Sequence, residues 1–337
     1  MGGRRAAPQP GLCRAFFGPV VFATALLLFA AACGPSRETP SAPAVAPAPW
    51  APGPVSGERA LADAVAFYGL GPKVAGTEGA QRAAEWIAAR LEAEGLAVSI
   101  DEFEDDTPTG SKTFRNVEAR LGGGGDPRAI FAAHYDTKGG IPGFAGANDS
   151  ASGVGLLLEL ARALKGAPEG TDFVFLFLDG EECAEHYGPR DGLHGSRRAA
   201  RKLAAEGPPP PFLLFDMIGD ADLRVTFPQN SSRYLARAAF AAAEAEGCRT
   251  AFGLYPGVIL DDHVPFADQG FPVLDFIDFE YGSAPGRHDY WHTSEDTLDK
   301  ISPRSLQRVG VFALALLRRI EEGAEVPPGI RPPPDRE

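Results

Sequence analysis

Phe173-Val-Phe-Leu-Phe-Leu-Asp-Gly-Glu181-Glu182 is six apolar residues running straight into a turn that carries two adjacent carboxylates. A short continuous apolar run closed by glycine reads as a strand buried on both faces, the kind found in the middle of an α/β sheet. The acids then stand at the strand's carboxyl end, where diverging loops of an open sheet leave a ligand crevice. Neighbouring carboxylates repel, and burial makes ionising both harder still, so they call for a cation or a shared proton. An ordinary acidic loop could carry the same residues, and the rest of the chain has to decide.

Apolar spacing predicts helices over Ser56 to Tyr68 and Glu78 to Glu94, the second with Ala83, Ile87 and Leu91 on one face and Gly95 closing it. Ala97 to Phe103 and Phe114 to Leu121 alternate as half-buried strands near a sheet edge. Ala129 to Ala133 is a further buried strand, ending in His134-Tyr-Asp136. A glycine-rich loop closes on Gly146-Ala-Asn-Asp149 before an apolar helix from Val154 to Leu164. Downstream come a helix over Ser196 to Glu206, a strand Phe212 to Asp216, a helix over Ser231 to Glu246, a strand Pro272 to Ile277 and a closing helix Pro303 to Glu321. This is βα alternation in one domain, without an internal repeat.

His134, Asp149, the Glu181-Glu182 pair and Asp216 thus cluster at strand ends, and a late loop adds His292. Each alone is more simply structural, since a strand-end Asp commonly caps the next helix. Together, two imidazoles among carboxylates suit Zn²⁺, which takes both ligand types and keeps a position open when catalytic. His263 reads as a group orienting Asp261 or the loop backbone, His186 and His194 as loop hydrogen-bonding groups, and His288 as solvated. Asn230-Ser-Ser232 matches a glycosylation sequon but reads more simply as helix capping.

The 337 residues carry a net charge of −13 with no long basic cluster, which argues against nucleic acid as a partner. Residues 1–32 read as a signal peptide: Arg4, Arg5 and Arg14 precede an apolar run, and Ala30-Ala-Ala-Cys33-Gly34 resembles a bacterial lipobox, though with Ala30 where Leu is usual. Cys33 would carry lipid and tether an exported enzyme to the cell envelope, facing the periplasm from the inner or outer membrane. The other reading is plain cleavage after Ala-x-Ala. Residues 33–56 are a Pro/Ala-rich linker, 57–325 the catalytic domain, and 326–337 a Pro-rich charged tail. Cys183 and Cys248 read as two separate thiols, although export would allow a disulfide.

His134-x-Asp136, Gly146-Ala-Asn-Asp149, Asp179-Gly-Glu-Glu182, Asp216-Met and Trp291-His292-Thr293 resemble the ligand motifs of the M28 family of zinc aminopeptidases and glutaminyl cyclases, over about Gly71 to Ile320. The resemblance implies a three-layer αβα sandwich on a central mixed, mostly parallel sheet. It implies that Asp149, Glu182 and His292 hold one zinc, that His134 and Asp216 could hold a second bridged by Asp149, and that Glu181 is the acid/base.

The loop Glu181 to Arg197 and the stretch Gly257 to Phe266 resemble the cyclase branch, whose substrates are peptide or protein N-termini. There Asp261 would join Glu181 and Asp216 in a catalytic acid network and help bind substrate. Trp291 would line the pocket for an N-terminal glutamine, with Tyr187 at the wall where animal cyclases carry Trp. The alternatives are an M28 aminopeptidase and an inactive metal-binding lipoprotein.

Overall fold

The computed structural model describes residues 52–168 and 171–321. The expected signal peptide, Cys33, most of the linker and the charged tail lie outside them. The helices are α1 (Gly57–Tyr68), α2 (Glu78–Ala93), α3 (Gly153–Leu164), α4 (His194–Ala204), α5 (Arg233–Ala245), α6 (His263–Asp268) and α7 (Pro303–Glu321). The strands are β1 (Ala97–Thr107), β2 (Gly110–Leu121), β3 (Pro127–His134), β4 (Asp172–Leu178), β5 (Phe212–Asp216), β6 (Val225–Phe227), β7 (Phe252–Leu254) and β8 (Val273–Ile277).

All eight strands form one sheet in the order β1-β2-β4-β3-β5-β8-β6-β7. The apolar run of the opening motif is β4, in which every residue is buried. It pairs antiparallel with β2 and parallel with β3. β5 and β8 extend the parallel part, whereas β1–β2 is an antiparallel hairpin with β1 at the edge. The sheet is therefore mixed and mostly parallel.

The pleat of β4 separates the layers, because successive side chains point to opposite faces. Phe173, Phe175 and Phe177 join one core cluster with residues of α1, α2, α3, α5 and α7. Val174, Leu176 and Leu178 join a second, smaller one with residues of α4 and α6. This is the αβα sandwich that the resemblance implied.

Three short elements escaped the sequence reading: β6, β7 and α6. Strands of three residues and a helix of six residues are too short to show a period. Residues 53–56, expected in the tether, are seated on the fold. The Gly53 N–H donates to the Ala163 carbonyl, Val55 is buried, and Gln307 donates to the Val55 carbonyl. Among the described residues no helix is long and apolar enough to cross a membrane.

Phe175 lies wholly inside, stacked on Phe131 at 5.5 Å. Phe175→Ala should lower the unfolding free energy by about 3–5 kcal/mol in a denaturant titration, through lost burial and a residual cavity. Half-exposed Ile100 on β1 offers the control, where Ile100→Thr should stay within about 0.5 kcal/mol.

Candidate active site

Two turns that need glycine set the crevice. At Gly180, between Asp179 and Glu181, φ is +70°. At Gly146 φ is +62°, and a Cβ would stand 1.8 Å from the Asp149 carbonyl oxygen. A side chain at either position would push the acids that follow out of place.

His134, at the end of β3, places Nε2 3.1 Å from Asp149 Oδ1 and 3.2 Å from Asp216 Oδ1. His292 Nε2 stands 2.9 Å from Glu182 Oε1 and 3.4 Å from Asp149 Oδ2. Asp149 thus turns one oxygen to each imidazole. His134, Asp149 and Asp216 form one possible metal-holding group, and Asp149, Glu182 and His292 another, each with its ligand atoms within 4.8 Å of one another. The donor set, imidazole nitrogen and carboxylate oxygen, fits Zn²⁺, and a carboxylate shared between two groups fits a bridge.

The remaining expected residues meet at the same place. Glu181, Tyr187, Asp261 and Trp291 line a cavity of about 210 Å³ with all five candidate ligands. The Tyr187 hydroxyl donates to Glu181 Oε1 at 2.9 Å, a bond beyond the wall role expected of it. Burial, then the charges of Glu182 and Asp261, pushes the Glu181 carboxyl well above its usual range. Burial, then Asp216 and Asp262, does the same to Asp261. The Trp291 ring stacks on His292 with centroids 4.1 Å apart. Cys183 and Cys248 are separate thiols, as expected.

Four features were not legible in sequence. Asp136 is fully buried and accepts from the Glu181 and Glu182 backbone N–H groups at 3.1 and 3.3 Å, so it aims the acidic turn. Asp296 does the same for the other ligand loop: it accepts from the Asn148 and Asp149 N–H groups and from the Tyr281 hydroxyl. Lys138 Nζ lies 3.5 Å from Glu182 Oε2 and donates to the Cys183 carbonyl. Asp275, wholly buried on β8, stands 3.4 Å from His263 Nδ1. The motif His134-x-Asp136 was the one available signal for the first; the others are contacts between distant segments.

His263 stands beside Asp261, as one form of the expectation had it, and its ring also meets Asp275 and Asn230, the latter bonded to the Ile259 backbone. Asn230-Ser-Ser232 is not a side-chain cap. The Ser231 and Ser232 hydroxyls accept from the Asp275 and Val273 N–H groups of β8, and Asn230 donates to the Ile259 carbonyl, so the side chains are already used. Among the described residues, two of the three non-glycine residues with left-handed backbone, Met217 and His292, flank or form the centre. Such conformations persist where surrounding contacts over-determine them; Asn148 donates to the Met217 carbonyl at 3.1 Å.

A histidine–carboxylate centre at the carboxyl ends of a mixed sheet, with a buried glutamate held beside it, defines a metal-dependent α/β enzyme. The sequence model of Peptidase family M28 matches residues 116–317, and the chain belongs to that family. A glutaminyl-peptide cyclotransferase-like protein of Mus musculus is 31% identical over 268 residues, covering 69% of this chain and 68% of that protein. The crystal structure of an Acidobacteriales bacterium glutaminyl cyclase is 35% identical with a TM-score of 0.76, covering 82% of this chain and 99% of that one. A Zn-dependent exopeptidase from Parabacteroides distasonis is 25% identical with a TM-score of 0.70, covering 78% and 98%.

The carboxylates around the two imidazoles favour their protonated forms. At His292 burial works downward, but the hydrogen bonds to Asp149 and Glu182 win and raise the imidazole to about 10. Burial also opposes charging of His134, which Asp136, Asp149 and Asp216 raise well above its usual range. Zinc must displace these protons, so affinity should rise with pH, roughly tenfold per pH unit for each proton released. Competitive zinc titrations between pH 6 and 8 check this; affinity flat across that window would contradict the assigned ligands.

Proposed function

We propose that this chain is a zinc-dependent glutaminyl-peptide cyclotransferase, converting the N-terminal glutamine of peptides and proteins to pyroglutamate with release of ammonia. The observation that carries the reading is Glu181. It is a carboxyl buried beside the Asp149–Glu182–His292 group, hydrogen-bonded by Tyr187, and raised in pKa, inside a cavity of about 210 Å³ walled by Trp291. The named relatives in the cyclase branch support it.

Cyclisation joins the substrate's own α-amine to its γ-carbonyl carbon and breaks the bond from that carbon to the amide nitrogen. Zinc held by Asp149, Glu182 and His292 would polarise the γ-carbonyl as a Lewis acid; the ligands of a second ion, His134 and Asp216, are present, and one ion is sufficient for this role. Because the attack is intramolecular, the protein's task is to hold amine and carbonyl in line, which the aromatic wall of Trp291 and Tyr187 does. Glu181 takes the proton from the attacking amine and gives it to the departing nitrogen, so that ammonia leaves. That exchange needs a carboxyl titrating near neutrality, which burial and the neighbouring acids favour and a bound cation opposes. Asp261 shapes that field from its place beside Glu181 and Asp216. The second reading, aminopeptidase action, rests on the complete second ligand group and on the Zn-dependent exopeptidase neighbour.

Mass spectrometry of a Gln-initiated peptide incubated with the protein, with and without a chelator, separates the two. Chelator-sensitive loss of ammonia is the expected result, and stepwise loss of N-terminal residues would make the chain an aminopeptidase. Glu181→Gln should lower kcat by about 10²- to 10⁴-fold with zinc content unchanged; loss of metal would mean that Glu181 and Glu182 have exchanged roles.

We also propose that the enzyme is exported and anchored through lipid on Cys33, on the strength of the Ala-Ala-Ala-Cys33-Gly34 motif. Membrane-fraction recovery that is lost in Cys33→Ser is the expected outcome; unchanged recovery would refute the anchor.

A further inference from the structure

A second hollow lies beside the catalytic cavity. It holds about 290 Å³ and is lined by Leu193, Arg197 and Arg201 from α4 and its approach, by Val264, Pro265 and Asp268 from α6, and by Leu260. Leu260 lines the catalytic cavity as well, and Tyr187 faces that cavity while the next residue, Gly188, faces the hollow. The two therefore share a wall. Leu260 is 48% exposed and Val258 71% exposed, so the shared rim is an apolar ridge open to solvent. Exposed apolar side chains gathered at the mouth of a site mark contact with a ligand rather than fold stability.

The charge of this hollow runs against that of the chain. Arg197 and Arg201 are four residues apart on α4 and so lie on one face. Among the described residues neither has a carboxylate within ion-pair distance. Arg197 instead donates to the carbonyls of Gly188 and Gly192, which fixes the loop and leaves further N–H groups of its five free. Arg201 is exposed. Asp268 lines the hollow with both arginines, and the charges of Asp105, Asp262 and Asp191 also act on Arg197, so the exposed Arg201 is the guanidinium most open to a ligand carboxylate.

We propose that this hollow is the subsite for the residues that follow the N-terminal glutamine of the substrate, and that Arg197 and Arg201 select an acidic side chain there. The inference rests on the cyclotransferase reading and deepens it: a peptide with its first residue in the catalytic cavity passes the Leu260 ridge, lays apolar groups on Leu193, Val264 and Pro265, and brings a carboxylate to the arginines. A purely apolar floor would accept any sequence; the paired arginines make the choice electrostatic and hence sensitive to salt.

The test uses the zinc-loaded full chain, wild type and Arg201→Glu, on Gln-initiated pentapeptide amides with Glu, Ala or Lys placed in turn at positions two to five. Glutamine amide serves as a substrate too short to reach the hollow. Wild type should favour Glu over Lys in kcat/KM by about three- to tenfold at one or two of these positions at low ionic strength, with the ratio shrinking as salt is added. Arg201→Glu should abolish or invert the ratio and leave glutamine amide unchanged. Indifference to charge at every position, or a preference that survives Arg201→Glu, overturns the subsite. If wild type leaves glutamine amide untouched, the cyclotransferase reading fails instead. Fluorescence anisotropy of the same labelled peptides then decides the hollow: tighter binding of the Glu peptide by wild type but not by Arg201→Glu supports it, and equal binding refutes it.

Discussion

Mutual repulsion among buried carboxylates governs the carboxyl edge of the sheet. Asp149, Glu181, Glu182 and Asp261 are buried and line one cavity with the half-buried Asp216, and ionising all of them without positive charge would cost several kcal/mol. Two imidazoles whose protonated forms these carboxylates favour offset part of this, and a divalent cation would offset more. Burial, and then the same repulsion, lifts Glu181 out of the ordinary carboxylate range.

A second layer of acids holds the first in place. Asp136 and Asp296 do not face the cavity but accept backbone N–H groups from the two ligand loops, and Asp296 also takes the Tyr281 hydroxyl. Lys73 is buried between them; its Nζ donates to the Gly71 and Ala145 carbonyls, and burial lowers it to about 7 while Asp296 and Asp136 pull upward. Asp296 fixes the Asn148 backbone, and the Asn148 side chain in turn donates to the carbonyl of Met217, whose backbone is left-handed. Groups oriented in this way are pre-organised, so little rearrangement is needed when ligand or substrate arrives.

The strength of the sequence signal followed the range of the interactions. Strand β4 and the acidic turn were legible because six consecutive apolar residues and a glycine are local facts. The helices showed their periods over three or more turns. The candidate ligands His134, Glu182 and Asp216 were legible because each stands at or just past the end of a recognisable strand, and Asp149 because it closes a glycine-rich loop before a helix; His292, in a late loop, was legible through the Trp291-His292-Thr293 motif. β6, β7 and α6 were not, being too short to establish a period and held by their neighbours.

A buried parallel core with acids and one histidine at its strand ends was thus readable from the chain alone, since hydrophobic period and turn chemistry act within a few residues. What only the tertiary structure decided was which polar groups meet: Asp296 with the Asn148–Asp149 backbone, Tyr187 with Glu181, the Asn230-Ser-Ser232 side chains with Ile259 and β8 rather than a helix end, and the arginines of α4 with the ridge at Leu260. These contacts join segments whose spacing along the chain carries no period. They form because the sheet brings loop ends to one edge, and buried polar atoms there take whatever partner the packing places within reach.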